Sequence, residues 1–109
     1  MTVNELINEL SLTPITVPDG SRKVEGVYIG DLLSWVMGRA QADNAWITIM
    51  SNLNIVAVAT LADVSCIILA EGVTLDEPVI TTATSKEVNI LSTDKTAYEV
   101  ASALAGLGL

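Results

Sequence analysis

The chain has 109 residues, half of them hydrophobic but with few aromatic side chains and no Phe, so an aliphatic core suits a layered α/β domain better than an aromatic-cornered β-sandwich. Its formal charge of -8 arises from 13 acidic and 5 basic residues, and the basic ones are scattered apart from Arg22-Lys23, which excludes the clustered basic face that a nucleic acid requires. The single cysteine, Cys66, excludes an intramolecular disulfide.

No charged n-region with an apolar h-region opens the chain, so no signal peptide is expected, and the longest apolar run, "NIVAVATLADVSCIILAEG", is interrupted by Asp63 and Ser65. A soluble, cytoplasmic, single-domain protein over residues 1–109 is expected.

In chain order, Thr2 stands three residues before Glu5 as in a capping box, and Val3, Leu6, Ile7 and Leu10 recur at helical spacing. "TPITV" reads as a short strand that begins at a proline, which suits a sheet edge, and "PDGS" as a turn. "KVEGVYIG" alternates as a strand until Gly30 breaks it, giving a hairpin-like start. Asp31 is placed to cap a helix through Arg39 whose apolar stripe is Leu32, Leu33, Val36, Met37 and Ala40, with Trp35 on its flank.

"AWITIM" is a buried strand by composition, and "SNLN" offers caps to "IVAVATLAD". That segment is ambiguous between strand and helix. Helix is the better reading, because "SCIILA" is a buried strand and neighbouring parallel strands need a crossover between them. Asp76, Glu77 and Pro78 suit the first turn of the next helix over "VITTATSKEV", despite its poor propensity. "NILST" is a strand, and Thr96 with Glu99 makes a second capping box. The rhythm predicts a mostly parallel sheet with helices on both faces.

Four loops then follow strands and precede helices: Gly30-Asp31, Ser51-Asn52, Glu71-Gly72 and Ser92 to Thr96. In an open α/β sheet the carboxyl ends of the strands are where ligands sit, beside helix N-termini with free N–H groups. The same loops also serve as ordinary caps. The carboxylates of Asp31 and Glu71 oppose a bare phosphate and better suit a ribose or a metal-bridged ligand. Catalysis finds no support: histidine is absent, Cys66 sits in an apolar strand, and the Lys of a G-x-x-x-x-G-K-[ST] loop is missing from "GVYIGD".

Together "GVYIGDLLSWVMGRA", "AWITI", "NIVAVATLADVSCIILAEG" and "NILSTDKTAYEVASAL" resemble the small DRTGG-type domain proteins of anaerobic bacteria. Those are related to the N-terminal domain of HPr kinase/phosphorylase and to a regulatory module of some phosphotransacetylases. The resemblance runs from about residue 22 to the end. It implies a three-layer α/β/α domain similar to the N-terminal domain of the Mur ligases, self-association, and a setting near iron-only hydrogenase and redox genes. Where the naming motif places Asp-Arg this chain has Ser51-Asn52-Leu53, and where it places Thr-Gly-Gly it has Ala70-Glu71-Gly72.

The expectation is a non-catalytic regulatory or sensing module that takes a small metabolite or nucleotide through Asp31, Asn52, Asn54, Glu71 and Thr93. Homodimerisation is expected through Trp35 and Met37, both residue types favoured at interfaces. No metal and no cofactor is implied. The alternative is an interaction or assembly accessory without a small ligand, holding a redox enzyme or a kinase.

Overall fold

The computed structural model describes residues 1–109. Its elements are α1 (Val3–Leu10), β1 (Thr13–Thr16), β2 (Val27–Ile29), α2 (Leu33–Arg39), β3 (Ala45–Thr48), α3 (Asn54–Ala62), β4 (Cys66–Leu69), α4 (Glu77–Ser85), β5 (Ile90–Ser92) and α5 (Ala97–Gly106). The strands form one sheet in the order β1-β5-β4-β3-β2, parallel except for β1, which pairs antiparallel with β5.

Alternation along the strands sorts two cores. Ala45, Ile47, Cys66, Ile68 and Leu91 face α1 and α5, meeting Val3, Leu6, Val100 and Leu104. Trp46, Ile67, Leu69 and Ile90 face α2, α3 and α4, meeting Val36, Ile55, Ala59, Val79 and Ala83. The central strands β3 and β4 are buried along their whole length, and therefore read as continuous apolar runs. This is the three-layer α/β/α arrangement that the sequence implied. No helix is long and apolar enough to cross a membrane.

Both capping boxes form. α4 forms despite its β-branched composition because Val79 and Ala83 bury against the sheet and Pro78 in its first turn is preset for helix. The Thr82 and Thr84 hydroxyls donate to the carbonyls of Pro78 and Ile80, at 2.8 and 2.9 Å.

Four local expectations fail. The opening is no hairpin, since β1 and β2 lie at opposite edges of the sheet. Lys23 to Gly26 stays outside β2, because that segment belongs to the connection that must cross the sheet. Nor does Asp31 cap α2: Leu32 holds the N-cap position without a side-chain hydrogen bond, and the carboxylate turns the other way. The stripe of α2 is also narrower than its spacing suggested, for Leu32 and Met37 are exposed and only Val36 is buried.

The crossing segment, residues 17–26, is a strap beneath the amino ends of the strands. Asn89, just before β5, exchanges hydrogen bonds with both the N–H and the carbonyl of Asp19 and donates to the Ser65 carbonyl as well. Ser65, just before β4, donates to the Lys23 carbonyl. Asn44, just before β3, donates to the Glu25 carbonyl at 2.9 Å. These are three of the four buried polar side chains, so almost all of the core's polarity holds the strap. Gly20 passes close to α1, its carbonyl accepting from the Asn4 N–H at 2.9 Å, and the Asn4 side chain lies over its Cα so that a Cβ there would have to displace it. Arg22 closes it, its Nη2 donating to Asp43 Oδ1 at 3.1 Å and to Asp63 Oδ1 at 2.8 Å.

Candidate functional site

With the amino edge occupied by the strap, the loops at the carboxyl edge are the ones left free to receive a ligand. Because β2 to β5 are adjacent and parallel, their following loops lie along this edge in the order Asp31, Asn52, Glu71, Thr93. The fourth buried polar side chain, Thr48 at the end of β3, is here. Its hydroxyl donates to Asp31 Oδ1 at 2.8 Å, and the same oxygen accepts from the Ile49 N–H at 3.0 Å. Asp31 thus ties the loop after β2 to the end of β3. Thr48 was not among the candidate residues; its one sequence signal is a hydroxyl within the apolar "AWITIM".

Asn52 is exposed and accepts from the Asn54 N–H at 2.9 Å, a local turn that starts α3. Glu71 and Thr93 are brought together by their main chains: the Glu71 N–H donates to the Lys95 carbonyl at 2.9 Å and the Gly72 N–H to the Thr93 carbonyl at 3.0 Å. The Thr93 hydroxyl accepts from the Lys95 N–H at 3.2 Å. Apart from the Ile49 N–H bond to Asp31, the three loops are not joined: Asn52 itself bonds only to Asn54 and Ile55, within its own turn.

Glu71 and Gly72 are both left-handed, with φ of +62° and +71°. The other non-glycine residues with positive φ are Ser11, Asp63 and Glu87 near helix ends and Asp43 in the turn before β3, whereas Glu71 directly follows a strand. A glycine pair is what such a turn asks for, and this chain puts a carboxylate at its first position.

Electrostatically the edge is acidic. Of the five basic residues only Lys95 lies on it, since Arg39 and Lys86 end helices that run back to the amino edge and Arg22 and Lys23 belong to the strap. Ser92 and Lys95 also fall at Ser-x-x-Lys spacing, but no hydrogen bond links their side chains, so the nucleophile-base contact of such pairs is not formed. Cys66 is fully buried, and burial pushes its thiol up to about 12. No group of three or more Cys, Asp or Glu is placed to hold a metal ion.

Two depressions lie outside this row of loops. The larger, about 510 Å³, runs between α3 and α4 and reaches the carboxyl edge at Leu53 and Asn54. The smaller, about 190 Å³, adjoins Arg22 and Asp63 near the strap. Trp35 and Met37 are both exposed, at 52% and 46%, and Arg39 lies over the Trp35 ring, 3.7 Å from its centroid. At about 100° per residue they point about 200° apart around α2, to opposite flanks of the helix.

A five-stranded mixed sheet between helical layers, with the loops after β2 to β5 in a row at one edge, defines a small three-layer α/β/α domain. The model of the DRTGG domain family matches residues 5–107, and the chain belongs to that family. It is similar to the solved CBS and DRTGG domains of the regulatory region of Clostridium perfringens pyrophosphatase, complexed with the activator diadenosine tetraphosphate. The TM-score is 0.73 at 14% identity, over 94% of this chain and 45% of that one. At that identity the likeness is one of fold, and the chain spans under half of that structure. No curated protein sequence matches it.

Proposed function

We propose that this DRTGG domain is a non-catalytic regulatory module that binds a small metabolite or nucleotide along the carboxyl edge of its sheet. The reading includes a homodimer with Trp35 or Met37 in its contact, a cytoplasmic location, and a role tied to iron-only hydrogenase or redox metabolism. One observation carries it: four parallel strands deliver Asp31, Asn52, Glu71 and Thr93 to one edge, while the strap covers the other. The activator bound by the pyrophosphatase region makes adenine nucleotides the first class to try.

In this reading the free oxygen of Asp31 and the Glu71 carboxylate accept from ribose or base donors, the Asn52 and Asn54 amides and the Thr93 hydroxyl orient the ligand, and Lys95 meets a phosphate. A thermal-shift panel of adenine and guanine nucleotides, acetyl phosphate and divalent metals tests it. A ligand at about a hundred times its Kd adds about 2.7 kcal/mol to stability. Stabilisation by a nucleotide that disappears in Glu71→Lys supports the reading, and a flat panel removes it. Sedimentation of Trp35→Glu and Met37→Glu beside the parent chain tests the homodimer.

The second reading, an interaction accessory for a redox enzyme or a kinase with no small ligand, draws on the exposed Leu32, Trp35, Leu53 and Leu61 of the α2 and α3 region.

A further inference from the structure

We propose that the groove between α3 and α4 is the docking site for an amphipathic helix of a partner protein, one whose apolar stripe is followed by an acidic and then a basic residue. This rests on the interaction reading and names the surface and the chemistry of the partner.

Leu53, Ala57 and Leu61 recur every four residues along α3 and form one wall, with Thr82 and Lys86, one turn apart, on α4. Leu53 and Leu61 are 50% and 69% exposed, and Leu61 is the most exposed large aliphatic side chain of the chain. Between them Ala57 and Thr82 are small, so a third helix can approach the middle of the groove closely. From Leu53 to Leu61 the groove runs about 12 Å, which fits two to three turns of a partner helix.

Charge gives the partner its polarity. Lys86 is the one charged residue lining the groove, and it makes no ion pair, for both ion pairs of the chain belong to Arg22. The smaller depression shares Thr60 and Lys86 with the groove and adds Asp19, Asp63, Glu87 and Arg22; the Arg22 charge is taken up by Asp63 and Asp43, which leaves Asp19 and Glu87 without an ion pair. Moving from Leu53 towards the strap, the surface is therefore apolar, then positive, then negative. The complement is an apolar stripe, then a carboxylate, then a cation. No helix of a second copy carries that order of groups: α1 and α5 turn their apolar positions to the core and have no basic residue after them, α2 has Arg39 but no carboxylate after its exposed Leu32 and Trp35, α3 has Asp63 after Leu61 but no cation beyond it, and α4 ends in the reverse order, Lys86 then Glu87.

The test uses a synthetic helical peptide, about four turns long, with leucines on one face, then glutamate, then lysine, and a partner peptide with those two charges exchanged. Binding is followed by amide chemical shifts and by fluorescence anisotropy. The first peptide is expected to bind at micromolar to submillimolar concentration and to shift Leu53, Ala57, Thr60, Leu61 and Lys86. Lys86→Glu should weaken it about fivefold and favour the exchanged peptide. Ala57→Arg, at an exposed helical position that leaves both cores untouched, should weaken it at least about tenfold.

No shift at millimolar peptide overturns the proposal, as does binding indifferent to both substitutions. Self-association abolished by Ala57→Arg would overturn it in favour of a second copy. Shifts confined to Trp35 and its neighbours would overturn the groove but leave the interaction reading in place.

Discussion

Arg22 and Asp63 are joined twice by a single nitrogen: Nη2 of the guanidinium lies 2.8 Å from the carboxylate and 2.6 Å from the main-chain carbonyl that ends α3. A cation is thereby placed at the negative end of the helix, where it also holds the strap under the sheet. Burial works against the guanidinium charge, and the hydrogen bonds to Asp63 and Asp43 outweigh it and raise the arginine above its ordinary value. Since the Asp63 side chain is 66% exposed, solvent screens part of the gain. Arg22→Ala should lower stability by about 1–2 kcal/mol and Arg22→Lys by less, measured by urea denaturation. An unchanged midpoint in Arg22→Ala would show that the clasp does not hold the strap.

The strap depends more on Asn89, which is 2% exposed and whose amide makes three hydrogen bonds. Truncating it removes the partners of the Asp19 N–H and carbonyl and leaves the carbonyl of buried Ser65 without its donor. Asn89→Ala is expected to cost about 2–4 kcal/mol, whereas exposed Asn52→Ala loses one turn bond and costs under about 1 kcal/mol. Equal losses from the two substitutions would deny the strap its role.

Asp31 has a structural duty that any binding experiment must separate from ligand contact. Asp31→Ala leaves the buried Thr48 hydroxyl without its acceptor and should cost about 1–2 kcal/mol, while Asp31→Asn keeps an acceptor oxygen and should cost less. Denaturation curves of the two variants check this. If Asp31→Ala proves neutral, the contact with Thr48 is not formed in solution.

Glu71 sits at φ of +62°, where a side chain costs about 1 kcal/mol. Glu71→Gly relieves that cost and loses part of the gain to the greater freedom of the unfolded chain, so a rise in stability of up to about 1 kcal/mol is expected. A clear loss would mean that the carboxylate makes a stabilising contact of its own.

The acid limb of stability should report the capping boxes. Hydrogen bonds from Thr2 and Thr96 hold the carboxyls of Glu5 and Glu99 below their ordinary value of 4.5. Their folded pKa is depressed, so their contribution is fully present above that value and is lost as the pH falls through the lower, folded one. Glu5→Gln and Glu99→Gln should therefore flatten the fall in stability below about pH 4.5 and leave its pH dependence near neutrality unchanged. An acid limb identical in the double variant would contradict this.

The caps, the aliphatic strands and the layered order were legible in the sequence because each rests on local chemistry: Thr2 with Glu5, Thr96 with Glu99, the unbroken apolar run of "SCIILA". Even the β-branched α4 followed from the need for a crossover. The partners of the polar side chains were hidden. Asp31 next to "LLSWVMG" reads as a cap, and only the register that lays Ile29 beside Ile47 brings its loop to Thr48. The strap was missed for a similar reason, since nothing in "VPDGSRKVEG" says that β1 and β2 lie at opposite edges and must be joined across the whole sheet. At the candidate site, sequence placed the five residues at one edge, yet the left-handed turn at Glu71 and the groove below Leu53 arise from tertiary packing.

The most direct test of the proposed function is an amide chemical-shift titration of the intact chain with diadenosine tetraphosphate and with ATP. Saturable shifts gathered at Asp31, Asn52, Asn54, Glu71 and Thr93 are predicted. Their absence at millimolar nucleotide, or their confinement to the strap, would contradict a ligand site at the carboxyl edge.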